Sequence, residues 1–236
     1  MATMSATDIE ADGFAELPLL AWLSPGFPVG SYAYSHGLEW AVEAGHVATA
    51  KDLVRWLGDL LEFGAPRADA VVFACAFLSA RGADWPAVAE INALSIALAG
   101  SAERRLEVRA QGDAFMRAVT TAWTTVLVDS PQWPEAGAVS YTVAVALAAA
   151  CAGMSLRVSL QAFSLGVVAN LVSAAARLGA IGQTEGQRVL SKLLPSVRAL
   201  GAHASVANRS DISSAAMRSD IASMKHEIQY SRLFRS

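Results

Sequence analysis

Charge is scarce in this chain. Of 236 residues, 17% are Asp, Glu, Lys or Arg, whereas 54% are hydrophobic. A typical soluble domain carries more charge and less apolar side chain. The apolar surplus implies either surface reserved for burial against partners or segments that enter a membrane. The charge present is nearly balanced, with 18 basic and 21 acidic residues and a net charge of −3. Electrostatics therefore offer no argument for a nucleic-acid partner. Cysteine is almost absent. Cys75 and Cys151 form no CxxC pair and no disulfide framework, which fits buried thiols in a reducing compartment. The four histidines, His36, His46, His203 and His226, include no i, i+4 pair, and there is no HExxH. A permanent metal site would need ligands from separate segments, and none is assigned. The absence of GxxxxGK[ST] excludes nucleotide binding through a P-loop. The absence of GxSxG removes the usual nucleophile elbow. Runs of β-alternation with turn pairs, internal repeats and low-complexity stretches are also missing. The start, MATMSATDIEADGFAE, has no basic n-region and no apolar h-region, so a secretory signal is not expected.

What is present is helical periodicity. Leu53, Val54, Leu57, Leu60 and Leu61 recur at helical spacing behind Thr49 and Asp52, which have the spacing of a capping box. Asp84 before Trp85-Pro86 and Ser101 before Ala102-Glu103 mark two further helix starts. The second of these helices is expected to run to about Val128, with Gly112 inside it at a cost of about 1 kcal/mol relative to alanine. The stretch DSPQWPEAG, 129–137, reads as a loop. Two uncharged stretches come next, 136–156 and 158–176, each nominally long enough to span a bilayer. They are dominated by Ala, Ser, Val and Gly, Gln161 and Asn170 interrupt the second, and Arg157 alone separates them. One residue cannot reverse the chain between two spans, so they read as buried core helices divided near Gly153. Pro195 is expected to kink or divide the helix that starts after Gly182. The fold class predicted is all-α. One helical domain of about ten helices occupies 17–206, between a mobile N-terminus (1–16) and a polar C-terminal tail (207–236).

Residues 24–40, SPGFPVGSYAYSHGLEW, combine turn chemistry with a serine, a histidine and a carboxylate. Neighbours on a helix point about 100° apart, so Ser35 and His36 cannot form a nucleophile–base pair. Ser31 instead suits a helix N-cap. The stretch reads as a shaped turn that delivers Glu39 to a surface. An independent helical enzyme with a pocket near His36 and Glu39 is the alternative. In the tail, Ile221, Met224 and Ile228 fall on one face of a possible helix, and Tyr230, Arg232, Leu233, Phe234 and Arg235 come after it. These are residue types that anchor interfaces. The segment either docks on a partner or packs back on its own domain.

Three anchored places in the chain resemble the urease accessory protein UreF family. They are LLAWLSPGFPVGSYAYSHGLEWAVEAGHV (19–47), NLVSAAARLGAIGQTEGQRVL (170–190) and DIASMKHEIQYSRLFRS (220–236). The last is the most specific. The chain departs from the family at Gly179-Ala180-Ile181, where a proline commonly precedes the Gly-Gln-Thr turn. SAERRLEVRAQG (101–112) is similar only loosely, and no role is carried over there. The resemblance implies a cytoplasmic, non-enzymatic, dimeric all-α protein that joins UreD (also called UreH) and the GTPase UreG to load nickel into apo-urease. It implies no nucleic acid, no membrane and no permanently bound cofactor, with nickel handled transiently by the complex. Glu39, Arg177, Gln183 and Gln187 are then the candidate GTPase-facing residues. Ile221, Met224, Ile228, Tyr230, Arg232, Leu233, Phe234 and Arg235 are the candidate UreD-facing tail.

Overall fold

The structure, a computed structural model, describes residues 16–124 and 139–236. The expected loop at 129–137 and almost all of the expected N-terminal segment lie outside the described residues. The described chain is helical without strands. Its helices are α1 (Leu17–Trp22), α2 (Leu38–Glu43), α3 (Ala50–Phe63), α4 (Ala65–Arg81), α5 (Trp85–Ala97), α6 (Ala102–Ala122), α7 (Tyr141–Cys151), α8 (Leu156–Arg177), α9 (Gln183–Ala204) and α10 (Met217–His226). Single 3-10 turns occur at Ser31–Ala33 and Arg209–Asp211.

The core is built around α4 and α7. Both are apolar on nearly every face, as a helix surrounded by helices must be. α4 lies between α7, α5 and α3, while α6 closes on α7 and α9 packs along α8 and α3. Around them, α3 buries only its Leu53, Trp56, Leu57, Leu60 and Leu61 stripe. Its start is the Thr49–Asp52 capping box. Asp84 and Ser101 cap α5 and α6 through the Ala87 and Arg104 amides, also as expected.

The uncharged stretches are core helices. α7 has 11 residues, a rise of roughly 16 Å, too short to cross a bilayer's hydrocarbon core of about 30 Å. Two stretches, Ala50–Arg81 and Leu156–Arg177, are long and apolar enough by length and composition. The first is α3 and α4, broken at Gly64, and about half of each apolar window is buried against other helices.

Gly112 has a packing role beyond tolerance. A Cβ there would stand 2.1 Å from the Val139 carbonyl oxygen, so α6 can approach the start of α7 only without a side chain. The Val139–Ser140 backbone is itself pinned. The Ser140 amide donates to Asn92 Oδ1 at 2.9 Å, and Ser95 Oγ donates to Ser140 Oγ at 2.9 Å.

Three expectations are corrected. Ser31 caps no helix: it opens the 3-10 turn behind a left-handed Gly30, and no side-chain bond is made there. α2 begins later, at Leu38, after two left-handed residues, His36 (φ +54°) and Gly37 (φ +75°). Pro195 does not divide α9, which runs unbroken from Gln183 to Ala204. Pro195 sits on the exposed face, where water can satisfy the carbonyl its missing N–H leaves free. Finally, 207–236 does not trail away from the domain. α10 packs on α2 and α6, and the chain beyond it returns to the turn at Ala33–Ser35.

Candidate functional site

The C-terminal segment is seated on a polar platform built from α2, the preceding turn and the first turns of α6. α10 turns Ala222, Ser223 and His226 inward. It lies so close to the turn that a Cβ on Gly37 would stand 2.5 Å from the Ser223 amide nitrogen. Ser223 Oγ lies 2.7 Å from Ser101 Oγ, the cap of α6. The Glu227 carboxylate accepts the Ala102 amide at 2.7 Å, so the segment supplies α6 with a second cap.

Two buried carboxylates hold the chain beyond α10. Glu39 is 6% exposed and accepts three bonds: Leu233 N–H at 2.6 Å, Phe234 N–H at 2.9 Å and His226 Nε2 at 3.0 Å. Glu107 accepts from Arg104, from Gln111 Nε2 at 2.8 Å, from Ser236 Oγ at 2.8 Å and from His36 Nε2 at 2.9 Å. Between them stands Glu103, with Oε2 2.7 Å from His226 Nδ1 and Oε1 accepting Arg232 Nη1 at 2.5 Å. The Ser236 backbone oxygen accepts the Ser35 amide at 2.7 Å and its hydroxyl at 2.5 Å. The Arg235 amide donates to Ala33 O at 2.8 Å. Phe234 and Ser236 point in, while Leu233 and Arg235 point out, the period of two of an extended chain.

Burial alone would raise the Glu107 carboxyl. The Arg104 guanidinium, His36 and the Ser236 hydroxyl outweigh burial and hold it at about 2. Because the folded value lies below the ordinary 4.5, Glu107 stabilises the fold above pH 4.5 and loses that contribution as pH falls toward 2. The difference corresponds to about 3 kcal/mol. Urea melts repeated across this window should show stability falling with acid. Glu107→Gln should flatten that slope, and an unchanged slope would show that Glu107 does not set it.

The sequence-picked residues fall into two places. Arg177, Gln183 and Gln187 are exposed around the α8–α9 turn. Glu39 is not on a surface, contrary to expectation, because its carboxylate is consumed by the segment folded over it. Its link to Arg177 runs through Phe234, whose amide donates to Glu39 and whose ring centroid lies 4.4 Å from the Arg177 guanidinium carbon. Phe234 thus stands between the two residues and joins the expected GTPase-facing set to the tail. The expected apolar face of α10 exists and points to solvent. Met217, Ile221 and Met224 are exposed along it, and Ile228, Tyr230 and Leu233 continue the exposed row beyond the helix. Arg232 and Phe234 are anchors on the platform rather than free contacts.

Sequence spacing does not assign His226, Glu103, Glu107 and Ser35 to this role. A signal is present in 101–112: Glu103, Glu107 and Gln111 recur every four residues and make one polar stripe on α6. Arg104 and Gln111 bond Glu107 from the same helix, but the partners on other elements lie more than 100 positions away in sequence, or 71 for His36, which no local pattern reveals.

The geometry near His36 can be set against the enzyme alternative. Ser35 Oγ donates to Ser236 O, and His36 Nε2 faces Glu107, so serine and histidine are not paired. The two cavities that His36 lines are about 50 and 60 Å³. Substrate pockets are typically about 300–1,000 Å³, so these hold a few waters. Among the described residues, no three His, Cys, Asp or Glu side chains gather as a ligand set.

A family model for UreF matches residues 47–194. The chain is 51% identical to the urease accessory protein UreF of Xanthobacter autotrophicus over 220 residues, 93% of this chain and 90% of that protein. The chain belongs to the UreF family. The UreF of Rhodopseudomonas palustris strain BisB5 is 47% identical over 235 residues, covering 99% of this chain and 97% of its own. The Azorhizobium caulinodans UreF is 46% identical over 220 residues, covering 93% and 95%.

Proposed function

We propose that this chain is a non-enzymatic scaffold for urease maturation, working in the cytoplasm as a homodimer in a complex with UreD and the GTPase UreG. The observation that carries the reading is the exposed apolar row from Met217 through Met224 to Leu233, displayed on a segment whose other face is bonded to the domain. Exposed apolar side chains on a pre-ordered support lose little entropy on docking, which is how an interface gains affinity from modest area. UreD is assigned to this row. UreG is assigned to the α8–α9 turn through Arg177, Gln183 and Gln187, with Glu39 acting from behind Phe234. Arg177, stacked on Phe234, serves as an interface cation rather than an arginine finger. Nickel is the cargo of the assembled complex, destined for apo-urease, and is handled transiently by that complex.

Pull-downs from cells co-expressing the accessory proteins test the assignments. The double variant Ile221→Asp, Met224→Asp places charge on the row without touching the anchors. It should keep its helical circular dichroism and lose UreD capture by at least about tenfold. Arg177→Ala with Gln187→Ala should weaken UreG capture while UreD is retained. Full capture of both partners by these variants would contradict the assignment.

A further inference from the structure

His226 presents an unusual demand for a fully buried side chain. Its Nδ1 lies 2.7 Å from Glu103 Oε2 and its Nε2 lies 3.0 Å from Glu39 Oε2. An imidazole satisfies two acceptors at once only when both nitrogens carry hydrogen. The two carboxylates sit on different elements, α6 and α2, and each grips a different part of the chain beyond α10. Glu103 holds the Arg232 guanidinium, and Glu39 holds the Leu233 and Phe234 amides. The imidazole therefore spaces the two grips. Without it, the buried Glu39 carboxylate and the half-buried Glu103 carboxylate would face each other, with Arg232 bonded to Glu103 alone.

We propose that His226 is the positioning residue of the partner-binding segment. It bridges Glu39 and Glu103 as a double donor and thereby sets the path of residues 230–234, so that Tyr230 and Leu233 project outward. It acts through the two carboxylates and touches no partner itself, being 0% exposed. This rests on the reading that the exposed row binds a partner, but the bridge can be tested apart from it. Neither glutamine nor lysine replaces the bridge: glutamine offers both hydrogens from one nitrogen, and lysine offers a point charge at one end.

The test uses the full chain with ¹⁵N-labelled histidine. In the wild type both His226 ring nitrogens should be protonated, and the Leu233 and Phe234 amide protons should lie far downfield, as bonds to a carboxylate require. His226→Gln should move those two amides toward ordinary positions and weaken capture of the partner proposed above by at least about tenfold, or about 1.4 kcal/mol. Adding Glu103→Gln to His226→Gln removes one of the two facing charges and should recover part of the loss, a coupling that a merely space-filling histidine would not show. One bare ring nitrogen in the wild type overturns the proposal, and so do unchanged amide positions with unchanged capture in His226→Gln. If that variant does not fold, the wild-type nitrogen spectrum decides. If the wild type captures no partner while the nitrogen and amide signals appear as expected, the docking reading falls and the bridge stands.

Discussion

Glu39→Ala should unfasten the C-terminal segment while leaving the helical core folded. The substitution removes the acceptor of the Leu233 amide, the Phe234 amide and one His226 nitrogen in a single step. Each buried donor left unpaired costs about 1–3 kcal/mol. Removing one side of a buried charged pair typically costs about 3–5 kcal/mol. These terms overlap, so about 3–5 kcal/mol is the expected total for the segment. Hydrogen exchange reads it directly, because 3 kcal/mol corresponds to roughly a hundredfold gain in local opening. Amides of 226–236 should lose protection by that factor or more, whereas those of α4 and α7 should keep theirs. Exchange in the segment that matched the wild type would show that Glu39 does not hold it. The same experiment separates two ways in which Glu39 could matter to a partner. A direct contact residue would change binding without changing exchange.

Gly112→Ala should be strongly destabilising, and the sign of the effect is the informative part. In an exposed helix interior, alanine in place of glycine stabilises by about 1 kcal/mol. Here the added methyl would meet the Val139 carbonyl oxygen at 2.1 Å. That carbonyl cannot retreat freely, because Asn92 and Ser95 pin Ser140 beside it and Ser140 caps α7. Overpacking costs about 1–3 kcal/mol where neighbours can shift, and backbone neighbours shift least, so about 3 kcal/mol or more is expected. For a chain of this length that amounts to a fall of about 10 °C in melting temperature. A neutral or raised melting temperature would mean that α6 and α7 are not packed this closely.

The helices are legible in the sequence where local chemistry decides them. Thr49 with Asp52, Asp84 and Ser101 announce their helices because a cap is satisfied within three residues. The uncharged stretches 136–156 and 158–176, which supply α7 and most of α8, can be recognised as core because Arg157 alone between them leaves no room for a membrane turn. The tail is half legible. Its apolar face lies where the spacing of Ile221, Met224 and Ile228 places it, yet the opposite, anchoring face cannot be foreseen. That face depends on Glu39, Glu103 and Glu107 meeting residues far along the chain. Ser31 misleads for a related reason. The residues around it favour a helix start, but the chain spends two left-handed residues, His36 and Gly37, turning beneath α10 before α2 begins. Tertiary contact, not local propensity, sets that boundary.

The stretch from Ser31 to Trp40 is therefore a cradle for the segment 217–236, and two stretches nearly 200 residues apart in sequence close on each other as one structure. Phe234 lies between Glu39, through its amide, and Arg177, through its ring, so the segment joins the exposed α10 row to the α8–α9 turn.

The scaffold role is tested most directly by the nickel content of urease purified from cells that carry apo-urease and its accessory proteins with and without this chain. Urease made without this chain should be assembled but contain little nickel. The wild-type chain, but not the Ile221→Asp, Met224→Asp variant, should restore it. Urease with its normal nickel content in the absence of this chain would contradict the scaffold role.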